Sequence, residues 1–366
     1  MRTYTRLPKF ILVMVLLSLY LLAQTGQKSS QLPAPAEGDY TAHNFHFKSG
    51  EALPEVRMHY ATFGNPVRDA KGQVTNAVLL LHGTSGSGDQ FLAPQFAGVL
   101  LGPGQLLDVT HYYVILPDNI GHGKSSKPSD GMHAHFPQYD YDDMVLLQHE
   151  LLEKGLNVNH LHLILGTSMG CMHSWIWGET YPDFMDAMMP LACLPVQITG
   201  RNRVWRKLIM DGIRNDPDWK GGDYSAQPGE AMEVTAAMFD VAAGSALQMQ
   251  KSLSTREATD AAEDNFAKRF IAAHDANDLL YAFNASRNYD PSAQLEKITA
   301  QVTFVNSADD FINPPELGIA EREIKRVKNG RFVLLPISDQ TRGHGTHTQA
   351  EVWQQYLKEL LESSQH

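Results

Sequence analysis

The sequence predicts an α/β protein: a mostly parallel central sheet flanked by helices, with a block of helices inserted as a cap. Three observations carry that prediction. Short continuous apolar runs at 77–81 and 112–116 have the length and hydropathy of strands buried on both faces, and strand-like segments at 161–165, 187–192, 302–306 and 332–335 continue the series. Segments with helical spacing separate them, and an alternation of strand and helix requires crossover connections and so parallel pairing. From Leu194 to Ser292 the strand pattern stops, and a polar stretch rich in Met and Ala with helical spacing takes its place.

Taken in order, the chain opens with Arg2, Arg6 and Lys9, followed by an apolar run from Phe10 to Ala23. That run fits the core of a secretory signal peptide and falls short of the roughly 20 residues a spanning helix needs. We read 1–23 as a signal peptide, with an uncleaved anchor that tethers the protein to the membrane as the alternative. Residues 24–38, rich in Gln, Ser, Pro and Ala, read as a flexible linker. The folded body is then expected outside the cytoplasm, secreted or periplasmic.

Asn44–Lys48 and Glu55–Phe63 read as an antiparallel pair opening a core that spans 39–193 and 293–366, with the helical cap at 194–292 between its two parts. Tyr141–Leu156 is expected to be helical, because Met144, Leu147, Leu151 and Leu152 share a face and acidic residues from Asp140 to Asp143 enrich its first turn. Further helices are expected at Gly170–Tyr181, Pro315–Val327 and Gln349–Glu362. The cap should lie over the C-terminal edge of the sheet, where open α/β sheets bind ligands. Cys171 and Cys193 are the only cysteines. An exported protein is free to pair them, but we expect small buried thiols, common where a helix packs on a sheet.

Composition narrows the function. With 43% hydrophobic and 19% charged residues among 366, the chain is an ordinary folded protein of enzyme size, not a disordered or fibrous one. Its 41 acidic residues exceed its 30 Lys plus Arg, and the net charge of −11 repels nucleic acid and anionic membrane surfaces. A small-molecule partner is the expectation that remains.

The most informative string is Leu161-His162-Leu163-Ile164-Leu165 running straight into Gly166-Thr167-Ser168-Met169-Gly170, with a helix leaving from Gly170. Strand, tight turn and helix form the setting of a nucleophile elbow, which holds a serine hydroxyl at the sheet edge. Such a hydroxyl needs a base to take its proton. Gly343-His344-Gly345 follows the last strand, so His344 is the candidate, with His347 as the alternative. The acid that orients the histidine should follow a strand between the two. Asp310, after Val302–Asn306 and with Pro314 four residues on, is the candidate, and Asp309 is the alternative. The developing oxyanion needs donors, and the backbone N–H groups of Thr84, in His82-Gly83-Thr84-Ser85-Gly86, and of Met169 are placed to supply them. His82 braces that loop.

Other motifs carry less. The Gly-rich turn Pro117–Ser126 lacks the spacing and downstream acid of a dinucleotide fingerprint. His133-x-His135 and His344-x-x-His347 lack a third ligand pattern such as His-Glu-x-x-His, so no metal and no other cofactor is assigned.

The order Ser, Asp, His is that of α/β-hydrolases, and the chain resembles the homoserine O-acetyltransferase-like branch of that superfamily from Asn44 to Leu361. The resemblance rests on Gly166-Thr167-Ser168-Met169-Gly170-Cys171-Met172, Tyr181-Pro182-Asp183, Asn202 with Arg206 and Ile209, Asp216-Pro217-x-Trp219 with Gly222-Asp223-Tyr224, Asp310-x-x-x-Pro314-Pro315 and Gly343-His344. It implies the α/β-hydrolase fold, a substrate contact at Arg206 to a carboxylate, and a homodimer. Departures are also present. The family's Gly-Gly-Ser-Met-Gly-Gly is here Gly-Thr-Ser-Met-Gly-Cys, and its His-Ala-Leu-Thr-Gly is His82-Gly83-Thr84-Ser85-Gly86.

Since acetyl-CoA belongs to the cytoplasm, the leader tips the reading toward a secreted serine hydrolase of carboxylic esters that works through an acyl-enzyme. The alternative is an O-acyltransferase of the homoserine O-acetyltransferase type with an acyl-CoA donor. Amide or peptide hydrolysis and a non-catalytic binding module come behind both.

Overall fold

The computed structural model describes residues 32–364, and their eight strands form one sheet. In chain order these are β1 (Ala36–His46), β2 (Ala52–Phe63), β3 (Ala77–Leu81), β4 (Tyr113–Pro117), β5 (Leu161–Thr167), β6 (Met185–Leu191), β7 (Gln301–Ser307) and β8 (Gly330–Leu335). In space they run β1-β2-β4-β3-β5-β6-β7-β8. β2 pairs antiparallel with both β1 and β4, and every other neighbouring pair is parallel. The parallel strands therefore end on one edge. The loops after β3, β5, β6, β7 and β8 gather there, and they hold His82, Ser168, Cys193, Asp310 and His344.

Central strands are buried on both faces, which explains their unbroken apolar runs: every residue of β3 is inaccessible, and Leu163–Leu165 of β5 likewise. Helices α1 (Pro94–Leu100), α2 (Tyr141–Glu150) and α3 (Met169–Thr180) cover the first half of the core. The Asp140 carboxylate caps α2 by accepting from the Asp142 and Asp143 N–H groups, as the acidic first turn suggests. α3 carries Trp175 and Trp177 into the core, and Trp175 meets Phe304 of β7 edge-on with ring centroids 5.4 Å apart.

Between β6 and β7 come α4 (Gly200–Asn215), α5 (Gly229–Ala243), α6 (Ala246–Ser252), α7 (Arg256–Ala273) and α8 (Ala276–Asn284). Trp205, Ile209, Met232, Phe270, Leu279 and Phe283 give these helices an apolar cluster of their own, which Ile312 joins from the loop after β7. The short α9 (Ile319–Glu323) and the closing α10 (Ala350–Ser363) complete the described chain.

Several expectations change. β1 begins at Ala36, so the end of the expected linker is strand: Ala36, Glu37 and Gly38 pair with Thr62, Ala61 and Tyr60, and the backbone ladder overrides a loop-like composition. The signal peptide at 1–23 and the linker up to residue 31 lie outside the described residues. Among the described residues no helix is long and apolar enough to cross a membrane. The single helix expected over Pro315–Val327 is broken at Gly318, whose φ of +59° admits only short turns around α9. Tyr141–Leu156 is α-helical to Glu150 and then widens into one π turn over Leu151–Gly155.

The cysteines also depart from expectation, because Cys171 and Cys193 form a disulfide. Cys171 lies on the first turn of α3 and Cys193 just past β6, and their Cα atoms are 5.8 Å apart because β5 and β6 are neighbours in register. The bond ties the helix that follows Ser168 to the end of the adjacent strand. Replacing both cysteines with alanine should lower unfolding free energy by about 3 kcal/mol, the usual scale for a loop of this length. Urea unfolding of the oxidised protein and of the double variant measures it.

Candidate active site

Ser168 stands between β5 and α3 with φ +54° and ψ −106°, a conformation that L-residues avoid and that tight packing enforces. α3 crosses so close to the sheet that a Cβ on Gly170 would lie 2.0 Å from the Leu81 carbonyl oxygen. One on Gly166 would lie 2.0 Å from that of Gly170. Backbone bonds lock the turn: the Ser168 N–H donates to the Leu191 carbonyl at 2.8 Å and the Gly170 N–H to that of His82 at 3.0 Å.

A hydrogen-bonded chain follows from the hydroxyl. Ser168 Oγ lies 2.9 Å from His344 Nε2, and His344 Nδ1 lies 2.9 Å from Asp310 Oδ2. With the proton on Nδ1, the imidazole donates to the carboxylate and accepts from the serine. Asp310 Oδ1 accepts the N–H groups of Ile312 and Asn313 at 2.8 and 3.1 Å, and Asn313 Nδ2 reaches Oδ2 at 3.1 Å. Burial pushes the Asp310 carboxyl up, but the charge of His344 and the bonds from His344 and Asn313 outweigh it, so its pKa falls below the ordinary value.

The two alternatives sit beside this chain and not in it. His347 packs edge-on to the His344 ring with centroids 5.2 Å apart, and burial together with His344 pushes its pKa down to about 3, so it is neutral. Asp309 accepts from the Gly343 N–H and from neighbouring hydroxyls instead of from His344.

Thr84 lines one cavity with Ser168, while Met169 is its chain neighbour. Neither backbone N–H has a hydrogen-bond partner among the described residues, which leaves both free for an oxyanion. Their loop is braced from behind. His82 is inaccessible, its Nδ1 bonds the Gly83 carbonyl at 2.8 Å, and its Nε2 accepts the Asn119 N–H at 3.0 Å. Burial, then His122, pushes its pKa down to about 3, so it stays neutral. Gln90, which sequence reasoning missed, accepts from the Gly83 N–H and donates to the Thr167 hydroxyl at 2.7 Å, joining the loop after β3 to the turn that carries Ser168. Asn313 is a second such residue, and in both cases the function lies in a contact no local pattern encodes.

Two cavities open on Ser168, of about 320 and 220 Å³, and both also touch Arg206, Ile312 and His344. Arg206, on α4, is 2% exposed. Its Nε donates to Asn202 at 2.9 Å and its Nη1 to Ser286 at 3.2 Å, and no carboxylate pairs with it among the described residues. Burial lowers its pKa, opposed by the nearby Tyr141. A buried guanidinium without a counterion on the wall of a cavity is a ready site for an anion.

Residues 76–336, more than half of the chain, match the model of the alpha/beta hydrolase fold family. The chain belongs to the α/β-hydrolase family. Among curated α/β-hydrolase relatives, it is 29% identical over 274 residues to a probable acyltransferase of Methanothermobacter thermautotrophicus, covering 75% of this chain and 82% of the relative. It is 26% identical over 296 residues to homoserine O-acetyltransferase of Pasteurella multocida, covering 73% and 80%. In fold it is similar to an acetylester hydrolase from Corynebacterium glutamicum, with a TM-score of 0.78 at 19% identity over 89% of this chain and 96% of the other. With its carboxylate on His344 Nδ1, Asp310 sets the histidine tautomer, and Asp310→Asn should lower kcat about 10⁴-fold by reversing it. Hydrolysis of p-nitrophenyl acetate by the folded variant checks it.

Proposed function

We propose that the protein is a serine-dependent O-acyltransferase of the homoserine O-acetyltransferase type, whose acyl acceptor is a small alcohol bearing a carboxylate. The single observation that carries this reading is Arg206, a buried guanidinium with no counterion, facing both cavities that open on Ser168. Two further facts support it. Two cavities at one nucleophile suit a donor and an acceptor, and the curated relatives above are acyltransferases. On these grounds transfer takes precedence over the ester hydrolysis that the leader favours.

The chemistry follows from the geometry. Ser168 Oγ attacks the acyl carbon while its proton passes to His344 Nε2, and the oxyanion accepts from the N–H groups of Thr84 and Met169. Collapse expels the donor's leaving group, which takes the proton back from His344, and leaves the acyl group on Ser168. The acceptor hydroxyl, its carboxylate held by Arg206, then gives its proton to His344 and attacks the same carbon; collapse breaks the bond to Ser168, whose Oγ takes that proton back from His344, and the new ester leaves.

Hydrolysis keeps one observation in its favour. A disulfide at Cys171–Cys193 suits an oxidising compartment, where acyl-CoA is not supplied and water takes the acceptor's place. One experiment decides between the two. Purified enzyme is given acetyl-CoA with homoserine, and separately a panel of short acyl esters, with thiol release and product mass recorded for each. Formation of O-acetylhomoserine at a rate above that of acetyl-CoA hydrolysis supports transfer. Ester cleavage with no acceptor-dependent product returns the reading to an esterase. Under the transfer reading, Arg206→Met should raise KM for the carboxylate-bearing acceptor about 10- to 100-fold, the loss of a charged hydrogen bond, while hydrolysis of a neutral ester changes far less.

A further inference from the structure

Beside the acid that orients His344 stands a second carboxylate that the chemistry above does not use. Asp309 Oδ2 lies 3.0 Å from the Gly343 N, 3.1 Å from the Thr341 hydroxyl and 2.9 Å from the Ser245 hydroxyl, and its Oδ1 takes the hydroxyl of Ser307. These donors come from three places: the end of β7, the loop that carries His344, and the cap. Burial works to raise the Asp309 pKa, but the bonds from Ser307, Ser245, Gly343 and Thr341 outweigh it, so the group is held as the anion.

The cap meets the histidine loop at the same spot. Ser245, 3% exposed, joins α5 to α6, and the preceding Gly244 carbonyl presses on Gly343, where a Cβ would approach it to 2.3 Å. Gly343 itself has a φ of +63° and is the residue before His344. On the far side of the junction, Gln248 of α6 reaches the Ser338 carbonyl at 3.2 Å, and Lys251 pairs with Asp339. The segment that carries the base is thus clamped between the cap and a single carboxylate. An imidazole must sit within tenths of an ångström of its place to exchange a proton with Ser168, so whatever fixes Gly343 fixes the chemistry.

We infer that Asp309 is a positioning residue that couples the seating of the cap, through Ser245, to the placement of His344, through the Gly343 N–H. This inference rests on the acyl-enzyme reading of Ser168 and His344. Its consequence is that the base is correctly aimed only while the α5–α6 junction of the cap is docked.

The test uses the full chain and two readouts: the rate at which a fluorophosphonate probe labels Ser168, and kcat and KM for p-nitrophenyl acetate. Asp309→Asn keeps the shape but turns two amide protons toward donors. It should slow labelling and lower kcat about 10- to 100-fold with KM within about twofold, since binding does not need the base. Ser245→Ala removes only the cap's bond and should lower kcat about 3- to 10-fold, and adding it to Asp309→Asn should cost nothing further, because both act through one carboxylate. Wild-type kinetics in Asp309→Asn, or a fully additive double variant, would overturn the inference. Should Asp309→Asn not fold, Ser245→Ala decides alone, with an unchanged kcat counting against the coupling. Failure of the wild type to label at Ser168 while Ser168→Ala behaves identically would instead sink the acyl-enzyme reading itself.

Discussion

Everything at the C-terminal edge of this sheet depends on how closely α3 lies against β3 and β5. Gly166 and Gly170 leave no side chain between helix and sheet, and the Gly170 N–H reaches the His82 carbonyl across the gap. That approach forces Ser168 into its positive-φ turn and also brings the loop that begins at His82 beside it. One steric constraint therefore sets the distance between the Ser168 hydroxyl and the backbone N–H groups of the loop after β3. The loops after β7 and β8 bring Asp310 and His344 to the same point because parallel strands in neighbouring register end together.

The cap sits on this frame and supplies what the frame lacks. The frame brings Ser168, His344 and Asp310 into one hydrogen-bonded chain and leaves the backbone N–H groups of Thr84 and Met169 without partners among the described residues. Arg206 on α4 adds a buried positive charge at the wall of both cavities, held by Asn202 and Ser286 from two different parts of the insertion. In the proposed chemistry, transfer and hydrolysis share the acyl-enzyme and differ in which hydroxyl reaches it. Under that proposal the outcome of the competition is a property of the cavities that Arg206 lines, while Ser168, His344 and Asp310 serve both.

The central strands β3 and β4 were legible because burial on both faces writes an uninterrupted apolar run, and the turn at Ser168 because glycine is required where helix and sheet touch. Ser168, Asp310 and His344, which the fold joins in one hydrogen-bonded chain, each follow a readable strand. What escaped is what depends on spatial neighbours. Cys171 and Cys193 read as separate buried thiols, and only the pairing of β5 with β6 brings them within bonding distance. Gln90 and Asn313 look like ordinary loop amides until their partners are known. Asp309 read as a rival acid because adjacent carboxylates look alike in one dimension, whereas in the fold they face different partners. The strand at Ala36–Gly38 was hidden by a linker-like composition, since an edge strand is held by its backbone and not by its side chains.

The contact between Gly244 and Gly343 has a bearing on how such proteins diversify. At that seam the backbone of the cap touches the backbone of the histidine loop with no side chain to absorb a mismatch. A cap exchanged from a relative would therefore arrive with its own curvature and misplace the base, however well its substrate pocket was formed. For a chimaera to work, the stretches around 243–245 and 341–343 must be inherited together, which makes the seam, and not the boundary of the insertion, the natural unit of recombination.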